Sequence, residues 1–186
     1  MEKFRIENIL KIAEIENELE LEQANSMFNR LRLLLKDDPS LGPLRSHLAE
    51  LIEKYEATNW ENEENVDKAQ LLESENAEKI VRNHDQFIQR RKEIIRAKLN
   101  AKDLIQNDLA DILGHRKNYM SELINGLRPF SQEDIIIIHR LLGIKLDDLI
   151  IPVVKKPTAN RIRSVIQKLN NPRFKFNGDD FNLEFT

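Results

Sequence analysis

Three glycines, Gly114, Gly126 and Gly143, each directly follow a short segment whose apolar residues recur at helical spacing. Glycine takes the left-handed backbone that closes a helix at no steric cost, so each one predicts a helix end. The chain has only five glycines in 186 residues, and three of them fall in this one region. The region therefore reads as an array of short helices packed around Leu109, Ala110, Met120, Leu123, Ile135, Ile138, Leu141 and Leu142. Ser131 caps the last of them, with Asp134 three residues on, and Leu146, Leu149, Ile150 and Ile151 close the array before Pro152.

Several chemistries are excluded by what is missing. No cysteine is present, so a disulfide framework, a thiol nucleophile and a cysteine zinc site are all ruled out. The four histidines, His47, His84, His115 and His139, show no metal-ligand spacing, and neither a metal nor a cofactor is expected. Nothing matches a phosphate loop GxxxxGK[ST], a GxSxG elbow or an HExxH helix. The scattered carboxylates form no acid/base constellation, so an enzyme is not expected. No apolar run approaches the roughly 20 residues a membrane helix needs. Charges interrupt the opening MEKFRIENIL, so it does not read as a signal peptide, and a cytoplasmic protein is expected.

A net charge of -3 conceals an asymmetry. Residues 1–78 carry 9 Lys and Arg against 19 Asp and Glu, a net of -10. Residues 79–151 carry 13 against 10, and residues 152–186 carry 7 against 3. A basic partner for the first part and a phosphate backbone for the second is the simple electrostatic reading.

The first 60 residues read as helices. Asn17 is an N-cap followed by Glu18, Glu20 and Glu22, carboxylates that suit the positive helix end. Ala24, Met27, Phe28, Leu31, Leu34 and Leu35 mark its buried stripe, and the run from Asp37 to Pro43 stops it. Leu44, Leu48, Leu51, Ile52 and Tyr55 mark a second helix. Residues 66–99 contain almost no breakers and read as one long, mostly exposed helix. Past Pro152, Thr158 can cap a helix carrying Ile162, Val165, Ile166 and Leu169. Phe174 and Phe176, then Phe181, Leu183 and Phe185, alternate around Asn177-Gly178, a hairpin pattern.

Two short helices joined by the tight turn Gly114-His115-Arg116 make a helix-turn-helix arrangement. The runs QNDLADILG, MSELINGLRPFS and IHRLLGIKLDDLI resemble the Xre (phage-repressor-like) helix-turn-helix family over roughly residues 87–151. Gln106, Leu109-Ala110, Gly114, Ser121, Asn125-Gly126, Arg128-Pro129 and Leu142-Gly143 carry the resemblance. The Ser-Glu-x-x-Asn-Gly-x-Arg-Pro portion resembles antitoxins of the HigA type. Asn17-Glu18 with Ala24, and Leu48 through Glu56, are similar to the helical segment that precedes the domain in those antitoxins. The sequence departs from them in a longer connection between Trp60 and Phe87, which lacks the usual prolines, and in the tail after Ile151.

The resemblance implies an N-terminal helical segment plus a five-helix lambda-repressor-like helix-turn-helix domain; with the tail's own pattern, a short C-terminal helix and a candidate β-hairpin, the expected class is all-α. The expected divisions are residues 1–60, an acidic helical segment; 61–86, a connecting helix; 87–151, the DNA-binding domain; and 152–186, the tail.

A recognition helix lies in the major groove, where its first-turn side chains meet base edges. Here it opens with Lys117, Asn118 and Tyr119, with Ser121 and Glu122 one turn on. Lys117 can donate to guanine or phosphate, Asn118 can pair bidentately with adenine, and Glu122 can accept from cytosine. The resemblance implies that Gln106 holds a phosphate, and Arg116 and Arg128 flank the helix as further phosphate contacts. One domain makes few contacts, so a homodimer on double-stranded operator DNA is expected. Its face is either the Ile135–Leu149 region or the long helix of residues 66–99.

Two functions follow. The first is an antitoxin of a type II toxin–antitoxin module. It represses its own operon and, as the resemblance implies, neutralises a HigB-like mRNA endonuclease of RelE fold. The second is a stand-alone Xre-family repressor with no toxin partner. For the toxin the acidic helices are the expected surface, through Glu50, Glu53, Tyr55 and Glu56 and the Glu16–Glu22 run. The Phe-rich tail is the alternative.

Overall fold

The computed structural model describes residues 3–60, 67–151, 156–169 and 171, and among them every regular element is helical. Seven α-helices are present: α1 Glu18–Leu34, α2 Gly42–Asn59, α3 Lys68–Asn100, α4 Gln106–Ile112, α5 Lys117–Ile124, α6 Gln132–Leu142 and α7 Lys156–Leu169. Single 3-10 turns stand at Ile9–Lys11, Pro39–Leu41 and Leu146–Asp148. The last replaces the fifth helix expected of the domain. No described helix is long and apolar enough to cross a membrane.

The chain divides into two compact units, residues 1–149 and 150–186. The second contains α7, which opens two residues before Thr158, the residue expected to cap it. The alternating Phe174–Phe185 stretch lies outside the described residues.

The first unit holds two cores. One gathers Phe4, Ile6, Ile9, Ile12 and Ile15 from the N-terminal strap, Leu21 to Leu34 from α1, and Leu48 and Leu51 from α2. The other gathers Ile95 and Leu99 of α3 with Leu109, Met120, Leu123, Phe130, Ile138 and Leu142. Asn17 caps α1 as expected, accepting from the Glu20 amide at 3.0 Å. Ser131 and Asp134 form the reciprocal capping box of α6, at 3.0 and 2.9 Å.

Helix α3 packs against α1 and contributes to the second core. Ala77, Val81 and Ile88 are buried along its length, and its last turns supply Ile95 and Leu99 to the second core. The expected connecting helix is thus a shared strut, continuous for 33 residues. Leu127, after the recognition helix, is buried with the N-terminal core and not with its neighbours in sequence.

Arg30 of α1 fastens the junction. Its guanidinium donates to the Gly126 carbonyl at 2.7 Å, to His84 Nδ1 at 3.1 Å, and to the Asp85 carboxylate. Ser26 adds a 2.8 Å bond to the same Asp85 oxygen. Burial alone would raise the Asp85 pKa, but His84, Arg30 and Ser26 outweigh it and pull it down to about 2. Burial first, then the Arg30 charge, lowers the His84 pKa. Gly126 sits at φ +72°, and a Cβ there would stand 2.8 Å from Arg30 Nη1 and 2.9 Å from Ile88 Cγ2. Only glycine fits where α1, α3 and this loop converge. Arg91 is likewise buried, over the Phe130 ring at 5.0 Å, with its pKa lowered to about 10 by burial and then by Arg30.

Candidate nucleic-acid interface

Helix α5 is placed by its inner face. Met120, Leu123 and Ile124 are buried, which turns Arg116, Lys117, Asn118 and Tyr119 to the surface. Gly114 at φ +70° ends α4, and the His115 amide returns to the Ala110 carbonyl at 2.8 Å, which makes the turn tight. The turn is then pinned from α6, where His115 Nε2 lies 2.9 Å from Oδ1 of the buried Asp134. Asp134 therefore holds the α6 cap with one oxygen and the helix-turn-helix angle with the other. The capping box is visible in the sequence, but the His115 partner is not.

Gln106, Lys117, Asn118 and Ser121 come together on one cleft of about 520 Å³, at the N-terminal ends of α4 and α5. Lys92 and Arg96 of α3 line it too. Sequence reasoning missed this pair, although the basic run from Arg90 to Lys98, repeating at a helical turn, was its signal. Lys92 donates to Asn125 Oδ1 at 2.8 Å, and burial followed by the Arg96 charge lowers its pKa. Asn125 Nδ2 in turn donates to the Ser121 carbonyl at 2.8 Å. Arg96, Arg116 and Lys117 have no ion-pair partner among the described residues. Lys92, Arg96 and Lys117, with the amide and hydroxyl groups of Gln106, Asn118, Ser121 and Asn125, give the cleft a lining that suits a phosphate backbone.

The opposite wall of the cleft is the acidic segment. Leu33, Leu34 and Asp37 from the end of α1 line it. Asp38 accepts from Asn118 Nδ2 at 3.2 Å, so the side chain expected to read adenine already has a carboxylate partner. Beyond α5, Arg128 Nη1 donates to Glu7 at 3.1 Å, and Arg128 Nε donates to Glu122. The guanidinium also lies 5.4 Å from the centre of the Tyr119 ring, itself 5.0 Å from His115. Glu122 is thus engaged by Arg128, with its side chain 14% exposed. Asn118, Glu122 and Arg128 have carboxylate or guanidinium partners within the chain. Arg116 and Lys117 stand open.

Of the residues named for a toxin, Glu50, Glu53 and Glu56 are exposed on α2. Tyr55 turns inward and donates to Glu18 Oε1 at 2.9 Å, and Trp60 Nε1 donates to the same oxygen at 3.1 Å. Burial, then its bond to Glu18, holds the Tyr55 phenol above its ordinary range. Among the described residues no cluster of His, Asp and Glu could hold a metal ion.

No curated protein and no solved structure matches the chain at a significant level. Residues 95–149, from the end of α3 through the 3-10 turn at Leu146–Asp148, match the helix-turn-helix family, a match that suggests a DNA-binding regulator of transcription.

Proposed function

We propose that this chain is the antitoxin of a type II toxin–antitoxin module: a non-enzymatic homodimer that represses its own operon and neutralises a basic, HigB-like mRNA endonuclease. The observation that carries this reading is the fusion of a bundle with a net charge of -10 over residues 1–78 to a helix-turn-helix domain. A ribonuclease presents cations to RNA phosphates, and carboxylates on a rigid helix can mask them. Glu50, Glu53 and Glu56 offer such carboxylates on the exposed face of α2.

A stand-alone repressor is favoured by a different observation. Asp38 and Glu7 lie on Asn118 and Arg128, so the acidic charge already has a use inside the chain, as a cover over the readout helix. Under this second reading the bundle is a regulator of DNA access and needs no toxin.

Co-expression separates the two. The probe is any small basic protein found to be encoded beside this gene. The full chain is expected to restore growth, and the charge-reversed Glu50→Lys/Glu53→Lys/Glu56→Lys chain to fail while its circular dichroism is unchanged. Rescue by the reversed chain would move the toxin site elsewhere, with the tail as the next candidate. Lack of any toxic neighbour would leave the stand-alone repressor.

A further inference from the structure

A second cleft, of about 520 Å³, lies at the end of the N-terminal bundle far from the helix-turn-helix in sequence, between α1, the end of α2 and the start of α3. Its described lining is Glu18, Leu21, Glu56, Ala57, Trp60 and Ser74. Glu18 is the unusual member. Its side chain belongs to a residue only 2% exposed, yet among the described residues no basic side chain pairs with it. Both of its donors, the Tyr55 hydroxyl and the Trp60 indole, converge on Oε1. Oε2 is buried and has no donor among the described residues. A buried carboxylate oxygen of this kind is normally satisfied, by preference by a charged donor.

We propose that this cleft is a receptor for one alkyl-guanidinium or alkyl-ammonium group. Glu18, buried behind the cleft wall, and the exposed Glu56 supply two carboxylates for the head group. A guanidinium donates through paired N–H groups that match such acceptors. Leu21, Ala57 and the Trp60 ring supply apolar wall for the methylene stem, and the indole adds attraction for the cation. The described lining, two carboxylates and mostly apolar wall, does not suit a bare metal ion. A neutral ligand would leave the buried charge uncompensated. Glu22 nearby is held above the usual carboxylate range by burial and then by Glu78, Glu18, Glu56 and Asp85, so the negative potential here is in excess.

The site stands on its own geometry and not on the antitoxin reading. The co-expression experiment can fail while this cleft still binds. The cation has two sources, a free diamine or guanidine and an arginine or lysine side chain of a protein partner, and the test distinguishes them.

Trp60 is the only tryptophan, so intrinsic emission reports from this cleft alone. The full chain is titrated with agmatine against a sodium chloride control of equal ionic strength. It is then titrated with the blocked peptide Gly-Arg-Gly against its citrulline analogue. A saturable change in Trp60 emission with agmatine, absent with salt, is expected. Glu18→Gln should weaken it at least tenfold with the melting curve retained. Should that variant fail to fold, Glu56→Gln on the rim is the decisive one, with a several-fold loss. Peptide binding as tight as agmatine, and absent for citrulline, assigns the site to a protein side chain. Binding of agmatine alone assigns it to a free cation. Emission that follows ionic strength only, or affinity unchanged in the folded variants, overturns the proposal.

Discussion

At the scale of single residues, the readout helix separates two kinds of contact. Arg116 is exposed and directly precedes α5, where its proposed contact is a phosphate, which carries no sequence information. Asn118 is the side chain able to pair with a base edge. Arg116→Ala is therefore expected to weaken binding to specific and random DNA alike, and Asn118→Ala to cost about 1–3 kcal/mol at one base pair of each half-site. Fluorescence anisotropy on operator and scrambled duplexes checks this, and equal losses on both duplexes for Asn118→Ala would refute the readout role. Glu22 has a pH signature. Burial and then the charges of Glu78, Glu18, Glu56 and Asp85 raise its folded pKa above the unfolded value. For an acid, a raised value means the folded state favours the proton, so stability is fullest at low pH and is lost as pH rises through the folded pKa. Glu22→Gln copies the protonated form. It should stabilise the chain at pH 7 by on the order of 0.5 kcal/mol, given partial exposure, and make no difference near pH 3. Urea midpoints at the two pH values read the effect.

At the scale of elements, α3 decides how the first unit behaves as a whole. One continuous helix puts Ala77 and Val81 in contact with α1 and Ile95 and Leu99 in the other core. The ladder of hydrogen bonds between them transmits position from one core to the other. Gln86 is an exposed residue midway along this strut. Proline there removes a ladder bond and clashes one turn back, at a cost of about 3 kcal/mol. In the native chain, Trp60 emission and far-UV ellipticity are expected to melt together as one transition. In Gln86→Pro the two curves should separate, because the bundle that holds Trp60 and the domain that holds α5 no longer share a rigid axis. Coincident curves in the variant would show that the contacts of Arg30 and Leu127 alone couple the cores.

At the scale of the molecule, an acidic bundle is mounted against the face proposed to bind DNA. Asp38 and Glu7 engage Asn118 and Arg128 from opposite ends of α5, and Asp37 shares the cleft with Gln106 and Lys117. A duplex has to displace these contacts and approach against their charge. The full-length Glu7→Gln/Asp38→Asn chain is expected to bind any duplex more tightly. Each surface contact is worth about 0–1 kcal/mol, so the gain is up to roughly thirtyfold in Kd. Binding measured at several salt concentrations tests it, and an unchanged affinity would mean that the acidic segment leaves the DNA path clear.

Much of this architecture is local and so was legible in the chain of residues. Helical period, the left-handed glycines at Gly114, Gly126 and Gly143, the Asn17 cap and the Ser131–Asp134 box all act within a few positions of themselves. They determine where helices begin and end, and their spacing was enough to read a helix-turn-helix before any packing was known. The charge division between residues 1–78 and the rest is likewise composition alone. What the tertiary structure decided is where those charges lie. Asp38 meets Asn118 across 80 positions and Glu7 meets Arg128 across 121. Leu127 leaves its own domain's core for another, and Glu18, with its donors Tyr55 and Trp60 about forty positions on, closes a cleft. Contacts at such separations leave no periodicity in a sequence. They follow from the shape two cores take when one helix, α3, has to serve both.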